Sequence, residues 1–308
     1  MLYDNAVICY CSYKKESKLK LLDKILTVSL LITSSLLSSA HAGLIDFGVA
    51  DKYTFAVGQY DFFGTPVGGN LNLGSDAWIH GNVAASSYIG FGSGAIVYGN
   101  ACANSGFSGA DVRGTASQCS DVIKQAGAQF DQLSLDIAAA NTQATLLGGA
   151  NVGAITGDTL IEASLFDALS IANINLASGK YLTINGSASD QLVLNISGNA
   201  FVGSGAGILL TGGLTSANVL FNFTNDNQTT FNFGGAEING TFLANNGAFI
   251  AGDGAKLDDV RFYTNNALIA NVQTVRTNTT IQVPEPSTVL ILLSGLFFLL
   301  IRSNAKHS

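Results

Sequence analysis

Three aspartates, Asp253, Asp258 and Asp259, crowd the stretch GDGAKLDD. Oxygen ligands at that density are what calcium takes. Their spacing matches neither a nonapeptide calcium repeat nor a helix–loop–helix calcium loop. The stretch therefore reads as a solvated acidic loop, with Arg261 placed to pair with one of its acids. A carboxylate pair of the glycosidase kind needs a cleft that spacing alone does not demonstrate. The run GSGAG at 203–207 lacks the Lys-Ser/Thr that follows a phosphate loop, so it reads as a turn. His80 is the single histidine between residues 43 and 282, which leaves little scope for imidazole acid–base chemistry or a His-rich metal site. Nothing here specifies a reaction or a cofactor, and the expectation is a non-enzymatic protein.

The remaining chemistry is that of export. Lys14, Lys15, Lys18, Lys20 and Lys24 precede an apolar run at 25–37, and Ala40-His41-Ala42 then forms an A-x-A signature. This predicts a signal peptide over 1–42, cut by signal peptidase before Gly43. A retained N-terminal membrane anchor is the alternative. Cys102 and Cys119 are the only cysteines beyond that cut, an even pair in an exported chain, and a disulfide is expected. Two free thiols are the other reading.

Seven of the 14 lysines and arginines and 17 of the 21 acids fall within 43–282, leaving that segment acidic by about ten charges. Such a balance excludes nucleic acid as a natural partner. Low charge with abundant Gly, Asn, Ser and Thr points to short strands between turns. Five Asn-x-Ser/Thr sequons, at Asn185, Asn195, Asn222, Asn227 and Asn278, are expected by chance in such a chain.

A short phrase recurs along the chain. IHGNVAA from Ile79 returns as VYGNACA from Val97, as VRGTAS from Val112, and far downstream as INGTFLA from Ile238. Gly within a period-two pattern marks a bend or a close backbone approach. A strand-and-turn unit of 15–18 residues cannot bury its apolar face alone, whereas stacked units can. The expected fold is mainly β, a right-handed β-solenoid over 43–282; an antiparallel sandwich is the competitor. Between Ser120 and Gly148 apolar residues step by three and four, predicting one long helix packed alongside. Ser117, Ser120 and Asp121 are its candidate N-caps, and Gly148-Gly149 is its stop. Phe221, Phe223, Phe231 and Phe233 alternate and read as core filling. Thr229, Thr230, Thr277, Thr279 and Thr280 cluster without recurring at the coil period, so no regular Thr face is expected.

The chain closes with Val283-Pro284-Glu285-Pro286-Ser287, an apolar run at 288–301, then Arg302 and Lys306. This order resembles the PEP-CTERM sorting signal. The resemblance implies a transmembrane helix at 288–301, recognition by an exosortase in the inner membrane, cleavage near the motif, and release to the cell surface or matrix alongside exopolysaccharide. The 14 residues of this run rise only ~21 Å as a helix against a ~30 Å hydrocarbon core, a marginal and temporary anchor. Residues 43–275 resemble the choice-of-anchor A family through FGVA at Phe47, the IHGNVA phrase, the helix, and the segments 218–223 and 238–244. The last part also resembles the ice-binding-like adhesin fold, a β-helix flanked by one helix. No catalytic residue comes with either likeness. The expected role is adhesion or matrix structure, with an ice-binding or carbohydrate-binding module as second reading and a polysaccharide-active enzyme as third.

Overall fold

The computed structural model describes residues 44–109, 111–225 and 230–276. The signal and sorting segments, including Ala40, Ala42, Gly43 and Val283–Pro286, lie outside them. Among the described residues twenty-two strands join in one continuous sheet. Each circuit of the chain lays one strand on each of three faces and then returns one level up. Gly207–Thr211 lands on Tyr181–Asn185, Val219–Phe223 on Leu192–Ile196, and Thr230–Asn232 on Ala200–Val202, all in parallel. Repeated same-direction circuits produce parallel pairing, so the antiparallel sandwich is excluded. A two-stranded hairpin, Gln59–Phe62 with Thr65–Gly68, is antiparallel and stands apart from this sheet.

The recurring phrase explains how the circuits stack. Ile79 lies opposite Val97, and Val97 opposite Val112. The Asn82 carboxamide accepts the Asn100 N–H at 2.9 Å, 18 residues on, and Asn100 accepts the Thr115 N–H at 2.8 Å, a further 15 on. A Cβ at Gly99 would lie 2.3 Å from the Gly81 carbonyl oxygen, so the glycine of the phrase permits the backbone to turn a corner against its neighbour. Elsewhere the circuits lengthen: Asn195 and Asn222 are stacked partners 27 residues apart. The extra residues sit in corner loops such as 212–218 and blur the period in the sequence.

Stacking order is not chain order. The first strand of the sheet, Phe55–Val57, lies between Val83–Ala85 on one side and residues 262–264 on the other. From it the chain winds outward to Ala116–Ser117. The second half starts with Ala150–Ile155 and winds back until Ala267–Arg276 docks on Asn70–Leu73 and Trp78–His80. One inner column therefore runs through both halves as Leu194, Phe221, Phe242, Phe262, Phe55, Val83 and Ala101. Phe221 and Phe233 are fully buried in it or beside it, and Phe223 nearly so.

The helix is shorter than the apolar stripe predicts. Helix α1 spans Gln132–Leu146, and the expected start at Ser120 is only a three-residue 3-10 turn, Ser120–Val122. Gly127 takes φ +81° between the two, and the capping carboxylate belongs to Asp131, which accepts the Ser134 N–H at 2.9 Å. The candidate caps Ser117, Ser120 and Asp121 do not cap α1. Gly148 and Gly149, at φ +62° and +121°, do end it. Its buried residues Leu133, Ile137, Ala140 and Ala144 cover one face of the solenoid through Ala56, Ala84, Val193, Leu220 and Leu243.

Cys102 and Cys119 form a disulfide with a sequence separation of 17. It ties the 3-10 turn to Ala101–Ala103; it does not pin the start of α1, which begins 12 residues later. Closing a loop of this size is worth on the order of 3 kcal/mol. Replacing both cysteines with serine is expected to lower Tm by about 6–12 °C for a domain of this size. Calorimetry of the two proteins checks this.

Candidate adhesive face

The acids singled out in the sequence are engaged structurally. Asp259, at φ +51°, accepts the Ser216 N–H at 2.6 Å and its hydroxyl at 2.8 Å, so it caps a corner. Asp258 is exposed, and its carbonyl accepts from Asn239. The side chain of Asp253 is not among those described. Arg261 is buried and forms its ion pair with Asp51 at 2.9 Å, while the Asp259 carboxylate of this loop also stabilises its charge. Among the described residues no group of three or more His, Cys, Asp and Glu could hold a metal ion. Gly205, at φ +71°, lies in the turn that precedes the strand Gly207–Thr211. His80 is half-buried and stacks on Tyr98 with centroids 4.5 Å apart. Of the sequons, Asn195 and Asn222 are buried beneath α1; Asn227 and Asn278 lie outside the described residues.

The three faces differ in what they offer a partner. The first is covered by α1 and its loops. There Tyr263 is fully buried and donates to the Tyr53 carbonyl at 3.1 Å; burial pushes its phenol up to about 12. The second face carries charge. Asn185 bridges Glu162 and Thr211 at 2.8 and 3.0 Å, and Glu237 lies in register with Lys256. The Lys180 ammonium, 2.8 Å from Asp158, and the Tyr181 N–H hold the Asp158 carboxyl below its ordinary range. Trp78 and Tyr98 stand out from the same face, 45% and 43% exposed.

The third face carries none. Its eight strand segments, among them Ala200–Val202, Asn70–Leu73, Tyr88–Phe91 and Gly106–Ser108, contain no Asp, Glu, Lys or Arg. Their outward residues align in one register: Asn175, Phe201 and Asn232 at one end, Ile250 and Ile269 in the middle, Asn72, Gly90 and Ser108 at the other. A second row brings Ala248, Ala267 and Asn70 together. At strand spacings of 4.7–4.9 Å, eight rungs span roughly 33 Å. The strands of this face thus present uncharged side chains, mainly amide and aliphatic with Phe201 near one end, at a fixed interval and carry no group needing a counter-ion. Adhesion to an extended, uncharged, repeating surface is what such an array can do. The signal was present in the sequence as AFIA at Ala248 and ALIA at Ala267, a repeat that charge and motif searches pass over.

Residues 40–258 match the family model of an ice-binding-like adhesive domain. No curated protein matches. Among solved structures, an ice-binding protein from the Antarctic ascomycete Antarctomyces psychrotrophicus is similar at 14% identity, with TM-score 0.50, over 77% of this chain and 99% of that one. An ice-binding protein from an Antarctic biological consortium is similar at 16% identity and TM-score 0.45, over 75% of this chain and 89% of that one. One from an Arctic yeast gives 13% identity and 0.45, over 78% and 96%. At 14% identity the likeness to the ascomycete protein describes the fold alone.

Proposed function

This chain belongs to the ice-binding-like adhesive domain family, and on that premise we propose that it is an exported, non-enzymatic adhesive protein acting through its uncharged face. The observation that carries the reading is the register of Asn175 through Ser108 across eight uncharged strands. The partner this face suits is an extended neutral surface, such as exopolysaccharide of the matrix. The route is the one the terminal segments suggest: signal peptidase at Gly43, a membrane intermediate held by 288–301, and an exosortase acting at Val283–Pro286, with delivery to the cell surface or beyond. Residues 43–282 would then be the adhesive domain.

Ice is the second reading, favoured by the same face and by a fold shared with an ice-binding protein. The test replaces both Ile250 and Ile269 by lysine. These side chains are half-buried on the outer side of the sheet, so folding should persist while two charges break the neutral rows. Adsorption to insoluble matrix polysaccharide, read by co-sedimentation, should fall at least tenfold with Tm nearly unchanged. A Tyr98→Ser variant on the charged face should adsorb as the parent does. Undiminished adsorption by the double variant would sink the proposal. Faceting of ice crystals by the parent, lost in the same variant, would select ice over polysaccharide.

A further inference from the structure

The hairpin that leaves the solenoid is built unlike everything around it. Its strands pair from Gln59↔Gly68 to Phe62↔Thr65, and its turn is Phe63-Gly64 at φ +51° and +80°. Turns of this kind are the province of Asn-Gly, and a bulky aromatic in the left-handed region is strained. Phe63 is 94% exposed, and Phe62 beside it is 49% exposed. The two rings meet edge to face, 4.8 Å between centroids.

The stem is fixed as firmly as the tip is bare. The Gln59 N–H donates to the Ser134 hydroxyl at 2.6 Å, and the Gln59 carboxamide accepts the Asp131 N–H at 3.0 Å, so the hairpin is bolted to the start of α1. Gly69 N–H donates to the Gly58 carbonyl at 3.1 Å and closes the base. Asp61 accepts the Gly64 N–H at 2.7 Å and holds the turn. Residues 59–68 include no Lys, Arg or His.

We propose that Phe62 and Phe63 are a membrane-interface foot: they enter the headgroup boundary of the bilayer that takes up the chain's own apolar segment 288–301. This rests on the membrane-held intermediate of the preceding reading. Ala267–Ala270 stack on Asn70–Leu73, which follows the hairpin, and the strand ends with Arg276 opposite His80 in the same circuit, so the hairpin rises from the level at which the described chain finishes. From there, 11 residues (277–287) separate Arg276 from the apolar segment, a reach of at most ~36–40 Å. A body on so short a tether meets the lipid surface at high effective concentration. Aromatic rings on a rigid stem suit the interfacial layer. With no cation at the tip and an acidic body behind it, the contact depends on apolar burial. It should be insensitive to salt and satisfied by zwitterionic lipid.

The experiment uses the full chain in phosphatidylcholine vesicles. In a Trp78→Phe background, Phe63→Trp supplies the only tryptophan. Its emission should shift to the blue on vesicles, lose at least half its intensity to lipids brominated near the headgroup, and do so equally at low and high salt. As a second measure on the otherwise native chain, amide exchange at residues 61–65 should slow at least tenfold on vesicles. In a Phe63→Asn variant, whose turn is free of strain, that protection should vanish while the protein stays folded. A chain that floats with the vesicles yet keeps a water-exposed tip overturns the foot and leaves the membrane intermediate standing. A chain that does not float overturns both. A blue shift that grows with protein concentration without vesicles assigns the tip to a second copy and also overturns the proposal. Adhesion through Ile250 and Ile269 is read separately and is untouched by either result.

Discussion

Asn222→Ala is expected to destabilise the protein by about 3–4 kcal/mol, lowering Tm by roughly 6–16 °C. Asn222 is fully buried between the solenoid and α1. Its carboxamide oxygen accepts from Asn141 of the helix at 2.7 Å. Its nitrogen donates to Asn195 of the neighbouring circuit at 2.8 Å and lies 3.1 Å from the Thr145 hydroxyl. Asn195 in turn donates to the carbonyls of Ala144 and Gly148 at 2.9 and 2.8 Å, satisfying backbone oxygens at the end of the helix. Truncation strands the Asn195 oxygen in a dry interface and removes one of the two acceptors of the Asn141 amide. Stranded buried groups cost about 1–3 kcal/mol each, beyond the lost bonds themselves. A cycle with Asn141→Ala should show strong coupling, because the two side chains share one bond. A loss below about 1 kcal/mol would mean that apolar burial alone holds α1 in place.

Phe242→Ala should cost about 3–5 kcal/mol, the largest effect expected of a single core truncation here. Phe242 is fully buried. Its ring lies 4.7 Å from Phe221 in a near-parallel stack, and 5.1 Å from both Phe233 and Phe262. Phe249 closes the group at 6.4 Å. These rings come from successive circuits, and stacked backbones cannot collapse to fill the hole that alanine leaves, so the cavity term persists in full. Phe242→Leu should cost roughly 1–2 kcal/mol by comparison, since it keeps most of the volume. Chemical denaturation of the three proteins checks the order. A cost for alanine no greater than that for leucine would show that the column is loosely packed.

The first prediction falls on a residue whose role the sequence did not show. Alternating phenylalanines at 221 and 223 read as core, and they are. Asn222 between them read as one more polar residue in an Asn-rich chain. In a strand buried on both sides, period two separates two interiors rather than an interior from water. Val219–Phe223 turns Phe221 and Phe223 inward and Leu220 and Asn222 toward α1, and every residue of it is buried. The covering helix, which the sequence overextends by 12 residues at its start, is what makes the difference. Apolar spacing continues through Val122, Ile123, Ala126 and Phe130, but Gly127 in the left-handed region breaks the backbone there. Periodicity reports which side chains are apolar, not whether the hydrogen-bond ladder between them survives.

The sequence by itself pointed to stacked turns of a β coil over 43–282, and parallel pairing of the described strands then excluded the antiparallel competitor. The Gly-Asn phrase demands a close corner and an amide reaching the next circuit, and both are local requirements. It also pointed to Phe221, Phe223 and Phe233 as interior residues and to a Cys102–Cys119 disulfide in preference to two free thiols. The tertiary structure alone decided the order of stacking. Whether Phe55 meets Val83 or Phe262, or as here both, depends on α1 leaving one half and delivering the chain to the start of the other. It likewise decided that eight uncharged strand segments, scattered from Asn70 to Ala270, share one face. Registers between distant segments are set by which cores can close upon each other, and short glycine-punctuated strands carry too little pattern to specify that along the chain.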